Sequence, residues 1–171
     1  MQRTGITVYR KVYHTPIGAI AITASETAIT GICTAETSAD EQTAVCIETG
    51  LMKKAYSELM EYFSGKRHTF DLPLHLEGTD FQMQVWKALQ DIPYGKTCAY
   101  KDIAIKTGRP SACRAVGGAC HNNPILIMIP CHRVIGTNGA LTGYGGGISL
   151  KKLLLALESS EISEITDHTA I

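Results

Sequence analysis

Residues 100–134 read YKDIAIKTGRPSACRAVGGACHNNPILIMIPCHRV, and this stretch decides how the rest of the chain is read. Residues 100–107 have the length and spacing of a short helix that stops at Gly108-Arg109-Pro110, because proline cannot donate to a helix ladder and pushes its predecessor out of helical geometry. Ser111 stands where a side-chain oxygen caps a second helix, running to about His121. Two short helices joined by a tight turn form a helix-turn-helix corner. Residues 125–129 are then uniformly apolar, with the length of a buried strand. They lead into Pro130-Cys131-His132-Arg133-Val134. Neighbouring strand residues face opposite ways, so a working Cys131–His132 pair needs a turn, which Pro130 favours.

Working back from Tyr100, Thr79-x-x-Gln82 is a capping box, in which hydroxyl and amide each satisfy a free donor at a helix start. Phe81, Val85, Trp86 and Leu89 follow on one helical face, and Pro93-Tyr94-Gly95 breaks it. A domain boundary falls near Glu77-Gly78. Before it, residues 6–13 and 17–24 read as strands around a Thr15-Pro16 turn, and residues 28–34 as a third. Residues 38–49 are ambiguous. Residues 51–64 keep helical spacing through Leu51, Ala55, Leu59, Tyr62 and Phe63, with Gly65 placed to end the helix, and residues 68–76 return as a strand. Forward of Val134, a glycine-rich section (136–147) precedes a last helix over 149–158, with Leu150, Leu153, Leu154 and Leu157 on its apolar face. The expected fold is therefore α+β: an N-terminal module with a small sheet (1–78), a mostly helical C-terminal domain containing the helix-turn-helix (79–158), and a polar tail (159–171).

Composition narrows the function classes. Of 171 residues, 44% are apolar and 19% charged, which suits a packed globular protein and not a disordered one. No apolar run reaches the roughly 20 residues that span a bilayer, and residues 1–14 carry no signal-peptide core. A cytoplasmic protein without membrane attachment is expected. Cys33, Cys46, Cys98, Cys113, Cys120 and Cys131 are irregularly spaced and contain no C-x-x-C pair, so free thiols are expected in place of a disulfide framework or a zinc ribbon. The net charge of zero hides a division: residues 1–78 sum to −2, residues 79–158 to +5 and the tail to −3. Between Asp102 and Glu158 there is no acid, but there are Lys106, Arg109, Arg114, Arg133, Lys151 and Lys152. Such a stretch suits a surface that binds a polyanion.

Cys131-His132 is the constellation that carries chemistry. A thiol with the ordinary pKa of about 8.5 is only a few per cent thiolate at neutral pH, and a neighbouring imidazole raises that fraction. The dipeptide lies between an apolar segment and a glycine loop, where reactive groups are commonly displayed. The residues alone also fit a buried cysteine beside a surface histidine, a cysteine hydrolase, or a helix-turn-helix protein that senses DNA without modifying it.

Pro130-Cys131-His132-Arg133-Val134 resembles the acceptor motif of the O6-alkylguanine-DNA alkyltransferases. Arg114-Ala115-Val116-Gly117, Asn123-Pro124, Gly143-Tyr144 and Leu153-Leu154-x-x-x-Glu158 stand at matching spacing. The resemblance is close over about 80–158 and looser before that. Alkyltransferase-like relatives have tryptophan at the position of Cys131, which here keeps the nucleophile. The resemblance implies a single irreversible displacement: Cys131 attacks the alkyl carbon on guanine O6, guanine leaves and a thioether remains, with no cofactor and no metal. O4-alkylthymine is implied as a further substrate. A Glu–His–water–Cys relay maps onto Glu158, His132 and Cys131. Tyr100 matches the tyrosine that donates a proton or a hydrogen bond to the departing purine, and Asn123 the hinge asparagine between the helix-turn-helix and the active-site strand.

The same resemblance implies double-stranded DNA as partner of a monomer, bound through the minor groove, with the damaged nucleotide turned out of the stack. Arg114 matches the finger that fills the vacated space. Ala115, Gly117 and Gly118 allow close approach, and Ser111, Arg109 and Lys106 complete the DNA-facing set. Arg133, Val134, Tyr144, Gly145 and Gly146 are assigned to the substrate pocket. Gly145 replaces the Ser or Ala of many relatives, and Leu157 a histidine. Gly146 stands where some relatives carry a tryptophan that restricts large adducts, so a permissive pocket is expected. His14 and Cys33 do not reproduce the zinc ligands that some relatives have in the N-terminal module.

Overall fold

The computed structural model describes residues 7–35 and 45–167. Ile6 at the expected start of the first strand, residues 38–44 of the ambiguous segment and residues 168–171 of the tail lie outside the described residues. The chain divides into two compact units that part between Leu76 and Glu77.

The first unit is an antiparallel sheet of β1 (Tyr9–Thr15), β2 (Gly18–Ala24) and β3 (Ile29–Thr34), in that order, and a helix α1 (Gly50–Phe63). Gly18 at φ 103° makes the tight turn that sets Thr15 opposite Gly18, and the register follows from there, with Val12 opposite Ala21 and Ile22 opposite Ile32. Ile20, Ile22, Ile29 and Ile32 of the sheet and Met52, Ala55, Leu59 and Tyr62 of α1 are buried and form its core. The helix ends where Gly65 turns left-handed at φ 75°. Residues 68–76 do not form the expected strand. They contribute one bridge, in which Ile29 N–H donates to Pro73 O and His75 N–H to Ile29 O, and Pro73 cannot extend a ladder because it has no N–H.

The second unit holds α2 (Asp80–Gln90), α3 (Tyr100–Lys106), α4 (Cys113–His121) and α5 (Ile148–Asp167), with a parallel pair of two-residue strands, β4 (Cys98–Ala99) and β5 (Val134–Ile135). The Thr79–Gln82 capping box forms as read: Thr79 N–H donates to Gln82 Oε1 at 2.9 Å and Gln82 N–H to Thr79 Oγ1 at 3.3 Å. The Trp86 indole then donates to Ala119 O at 2.8 Å, tying α2 to the end of α4.

Three expectations need correction. Ser111 does not cap α4; Ala112 occupies the cap position without a side-chain bond, and its N–H is satisfied by Arg109 O. Residues 125–129 are buried but are not a strand, because the chain reverses at Ile127 (φ 73°) and Ile129 N–H bonds back to Ile125 O. The last helix does not stop at Glu158 but continues to Asp167, and its buried face is Leu150, Lys151, Leu154 and Glu158, while Leu153 is 47% exposed. No helix of the described residues is long and apolar enough to cross a membrane.

Candidate active site

Cys131 is positioned by two successive tight turns. Pro130 (φ −82°, ψ 59°) centres the first, closed by Cys131 N–H to Ile129 O at 2.8 Å. A 3-10 turn over Cys131–Arg133 follows, closed by Arg133 N–H to Pro130 O. The turn expected from Pro130 is therefore present. It points Cys131 Sγ inward, 1% exposed, where Asn123 Nδ2 donates to it at 3.0 Å. Asn123 also donates to Ile129 O at 2.8 Å and accepts from Ile125 N–H at 3.0 Å, so one side chain ties the end of α4 to the nucleophile's loop.

His132 is fully buried, with Nε2 2.7 Å from Glu158 Oε1. The same carboxylate accepts from Arg133 Nε and Nη2, both at 2.9 Å, and from Gly95 N–H at 3.1 Å. A carboxylate held by that many donors acts as an acceptor, which assigns the histidine hydrogen to Nε2 and leaves Nδ1 as a bare lone pair. Nδ1 is buried and has no partner among the described residues.

Burial pushes the Cys131 thiol up to about 11, although the Asn123 bond and the Lys151 charge pull it down. Burial likewise holds His132 below its ordinary value, against the pull of Glu158. The resting pair is therefore a neutral thiol and a neutral imidazole. At neutral pH a thiol titrating at about 11 is ionised in roughly one molecule in ten thousand.

On the other side, the β4–β5 pair sets Cys98 opposite Val134, so α3 begins with Tyr100 directly after a strand paired to the one leaving the cysteine turn. Tyr100 donates to Thr142 O at 3.0 Å. Lys151, fully buried, donates to Val134 O at 2.5 Å, Thr142 O at 3.0 Å and Tyr100 Oη at 3.3 Å. A cavity of about 360 Å³ opens here, lined by Tyr100, Cys113, Arg114, Gly117, Thr142 and Gly143. Arg114, Ala115 and Gly118 are exposed along one side of α4, while Val116, Ala119 and Cys120 face the core.

The remaining expected residues fall as follows. Ser111, Lys106 and Arg109 are exposed, but Lys106 pairs with Asp91 at 2.7 Å and Arg109 lies over the Phe81 ring at 5.0 Å. Arg133, expected in the substrate pocket, is buried as the clamp on Glu158, with Nη1 bonded to Ile92 O at 2.6 Å. Val134 is buried, and its carbonyl holds Lys151. Tyr144 is buried edge-on to His132, with ring centroids 6.4 Å apart and no partner for its hydroxyl among the described residues. A Cβ on Gly145 would meet His121 O at 3.3 Å. One on Gly146 would meet Leu150 at 2.6 Å and the Tyr144 ring at 3.0 Å, so that position faces packed atoms and not open space. No group of three metal-ligating side chains occurs among the described residues.

Lys151, counted in the sequence among the residues of a basic surface, is buried among Val134, Thr142 and Tyr100 instead, a placement that sequence reasoning missed. Its position carried a signal, since Lys151 stands three residues before Leu154 and seven before Glu158, the spacing that puts all three on one helix face, and that face is buried. The pairing of Arg133 with Glu158 was not foreseen either, because a buried guanidinium–carboxylate pair leaves no periodicity in sequence.

Comparison with known proteins bears on both units. Residues 8–76 match the ribonuclease-like domain of 6-O-methylguanine DNA methyltransferase, and residues 80–160 match its DNA-binding domain. A methylated-DNA–protein-cysteine methyltransferase of Mycobacterium tuberculosis is 45% identical over 154 residues, covering 90% of this chain and 93% of that one. One from Methanosarcina barkeri is 56% identical over 110 residues, covering 64% of this chain and 70% of that one. The crystal structure of the Mycobacterium tuberculosis O6-methylguanine methyltransferase superposes with a TM-score of 0.83 at 44% identity, covering 90% and 94% of the two chains. Mycobacterium tuberculosis OGT in complex with DNA gives the same score over 89% and 93%.

Proposed function

The chain belongs to the methylated-DNA–protein-cysteine methyltransferase family, and from that premise we propose that it repairs DNA by moving an alkyl group from guanine O6 to Cys131. The protein is the acceptor, so each molecule acts once and needs no cofactor. The observation that carries this reading is the buried thiol, held by Asn123 Nδ2 at 3.0 Å and followed in sequence by a histidine whose Nδ1 has no partner among the described residues and whose Nε2 is fixed by Glu158 at 2.7 Å.

The chemistry follows from those positions. A water between Cys131 and His132 Nδ1 passes the thiol proton to the imidazole, and Glu158 stabilises the imidazolium that forms. The sulfur attacks the alkyl carbon. As the S–C bond forms, the C–O6 bond breaks, and its electron pair leaves on guanine. Tyr100 gives the purine a proton as that charge develops, and the Lys151 ammonium 3.3 Å away supports the phenol in doing so. A neutral resting pair suits this role: Cys131 is unreactive toward stray electrophiles and becomes a thiolate only as the proton moves.

A guanine stacked inside duplex DNA cannot reach a thiol that is 1% exposed, so the nucleotide is turned out of the helix. The exposed side of α4, with Ala115 and Gly118 beside Arg114, supports minor-groove contact, and Arg114 fills the gap in the stack. Ser111, Lys106 and Arg109 complete the contact surface, which requires Lys106 to exchange Asp91 for a phosphate. We place the protein in the cytoplasm as a monomer, with O4-alkylthymine as a secondary substrate. The test is Cys131→Ser assayed with an oligonucleotide carrying labelled O6-methylguanine. The variant binds the oligonucleotide as wild type does but acquires no label, because a hydroxyl is far less nucleophilic than a thiol. Label on the serine variant at the wild-type rate refutes the reading.

A further inference from the structure

Among the described residues Ile127 is the one non-glycine residue with positive φ, at 73°, and it is 2% exposed. A β-branched side chain in that region is an outlier, because Cβ crowds the backbone, and such conformations persist only where the surroundings hold them. Met128 N–H donates to Leu126 O at 2.9 Å, so Ile127 is the apex of a three-residue turn of the rare, strained hand. This turn produces the reversal within residues 125–129.

Its consequence reaches Cys131 through four hydrogen bonds. The reversal lets Ile129 N–H return to Ile125 O at 3.0 Å, and Ile125 N–H is held by Asn123 Oδ1 at 3.0 Å. It also turns Ile129 O toward Asn123 Nδ2 at 2.8 Å, and that carbonyl accepts from Cys131 N–H at 2.8 Å as well. Asn123 Nδ2 therefore meets Ile129 O and Cys131 Sγ together only while the turn at Ile127 stays left-handed. A glycine would adopt this backbone without strain. The buried isoleucine side chain instead pins the apex into the core, leaving the loop one conformation.

Resting on the alkyl-transfer reading above, we propose that Ile127 is a positioning residue, whose pinned left-handed turn holds Cys131 Sγ against the Asn123 amide. The side chain opposes the strain of its own backbone. With the pin removed and the strain kept, the loop relaxes and the thiol drifts; with both removed, the drive to relax is gone.

The test compares Ile127→Ala, Ile127→Gly and Ile127→Val with Leu89→Ala, a fully buried control on α2. Single-turnover alkyl transfer is measured at saturating alkylated oligonucleotide, alongside Tm. Ile127→Ala slows transfer about tenfold or more, as expected for a misplaced reacting atom, while Leu89→Ala lowers Tm without slowing transfer. Ile127→Gly recovers much of the rate lost in Ile127→Ala, although it removes one carbon more, and Ile127→Val stays near wild type. In parallel, iodoacetamide labelling of Cys131 is followed against pH. Its midpoint lies higher in Ile127→Ala than in wild type or Ile127→Gly, because the thiolate has lost the Asn123 hydrogen bond. A glycine variant slower than the alanine variant, or a Leu89→Ala loss as large as that of Ile127→Ala, reduces Ile127 to ordinary packing and overturns the proposal. If wild type acquires no alkyl group the functional reading fails on its own, and the labelling midpoints still decide the role of Ile127.

Discussion

The Lys151 ammonium stands 3.3 Å from the Tyr100 hydroxyl, and both side chains bond the same acceptor, the carbonyl of Thr142. Burial holds the lysine below its ordinary pKa and the tyrosine above its own. A reluctant phenol thus sits beside an ammonium made readier to part with a proton. Tyr100→Phe and Lys151→Met are each expected to slow alkyl transfer about ten- to a hundredfold. Because the proposed mechanism has the two act on one proton, the double variant is expected to be little worse than the slower single one. Single-turnover rates check this, and fully multiplicative losses mean that the two side chains act separately.

Arg114 lines the cavity but makes none of the bonds that hold Cys131, His132 or Glu158. Arg114→Ala is therefore expected to slow repair of duplex DNA strongly while sparing reaction with a free alkylated guanine base, which needs no extrusion. Pairing the lesion with a poor partner restores part of the duplex rate. Equal losses on base and duplex assign Arg114 to the chemistry or to folding.

The proposed relay has a pH signature. Cys131 titrates at about 11 and His132 below its ordinary value. The histidine is accordingly neutral and competent as a base throughout the range from about pH 7 to about pH 9, and the wild-type rate is flat there. In His132→Ala the rate follows the thiolate population and climbs about tenfold per pH unit. The deficit of the variant therefore shrinks as pH rises. Glu158→Gln also slows transfer, and it destabilises the fold by about 3 kcal/mol, since it leaves the buried Arg133 charge without its counterion. A pH-independent deficit in a variant with an altered circular dichroism spectrum points to collapse of the site instead.

What was readable in the sequence is instructive residue by residue. The Thr79–Gln82 box, the α3–α4 corner and the turn before Cys131 depend on local chemistry, on caps, glycine and proline, and these announce themselves. The Ile127 reversal does not. A run of apolar residues reports burial, not direction, and the bonds that bend the loop come from Asn123 before it. The β4–β5 pair is two residues long, too short for any periodicity, yet it brings α3 alongside the strand that follows the Cys131 turn. On α5 the leucines suggested one apolar face, but Lys151 and Glu158 bury their heads against partners far away in sequence, so the buried face includes two charges. Sequence reasoning places charged residues outside by default, and this site is built on three that are inside.

The three glycines after Tyr144 suggested an alkyl pocket open to large adducts. A side chain at Gly146 would instead collide with Leu150 and Tyr144. Gly146→Trp is therefore expected to push the Tyr144 ring toward its neighbour His132, suppressing benzyl transfer more than methyl transfer and lowering Tm. An unchanged ratio of benzyl to methyl rates shows that this loop does not wall the alkyl pocket.

The decisive measurement is peptide mass spectrometry of the wild-type protein after one exposure to excess O6-methylguanine oligonucleotide under native conditions. One methyl group per molecule, carried as a thioether on the peptide containing Cys131 and persisting after the DNA is removed, is the expected result. An unmodified Cys131 beside repaired DNA, or a methyl group on Cys98, Cys113 or Cys120, contradicts it.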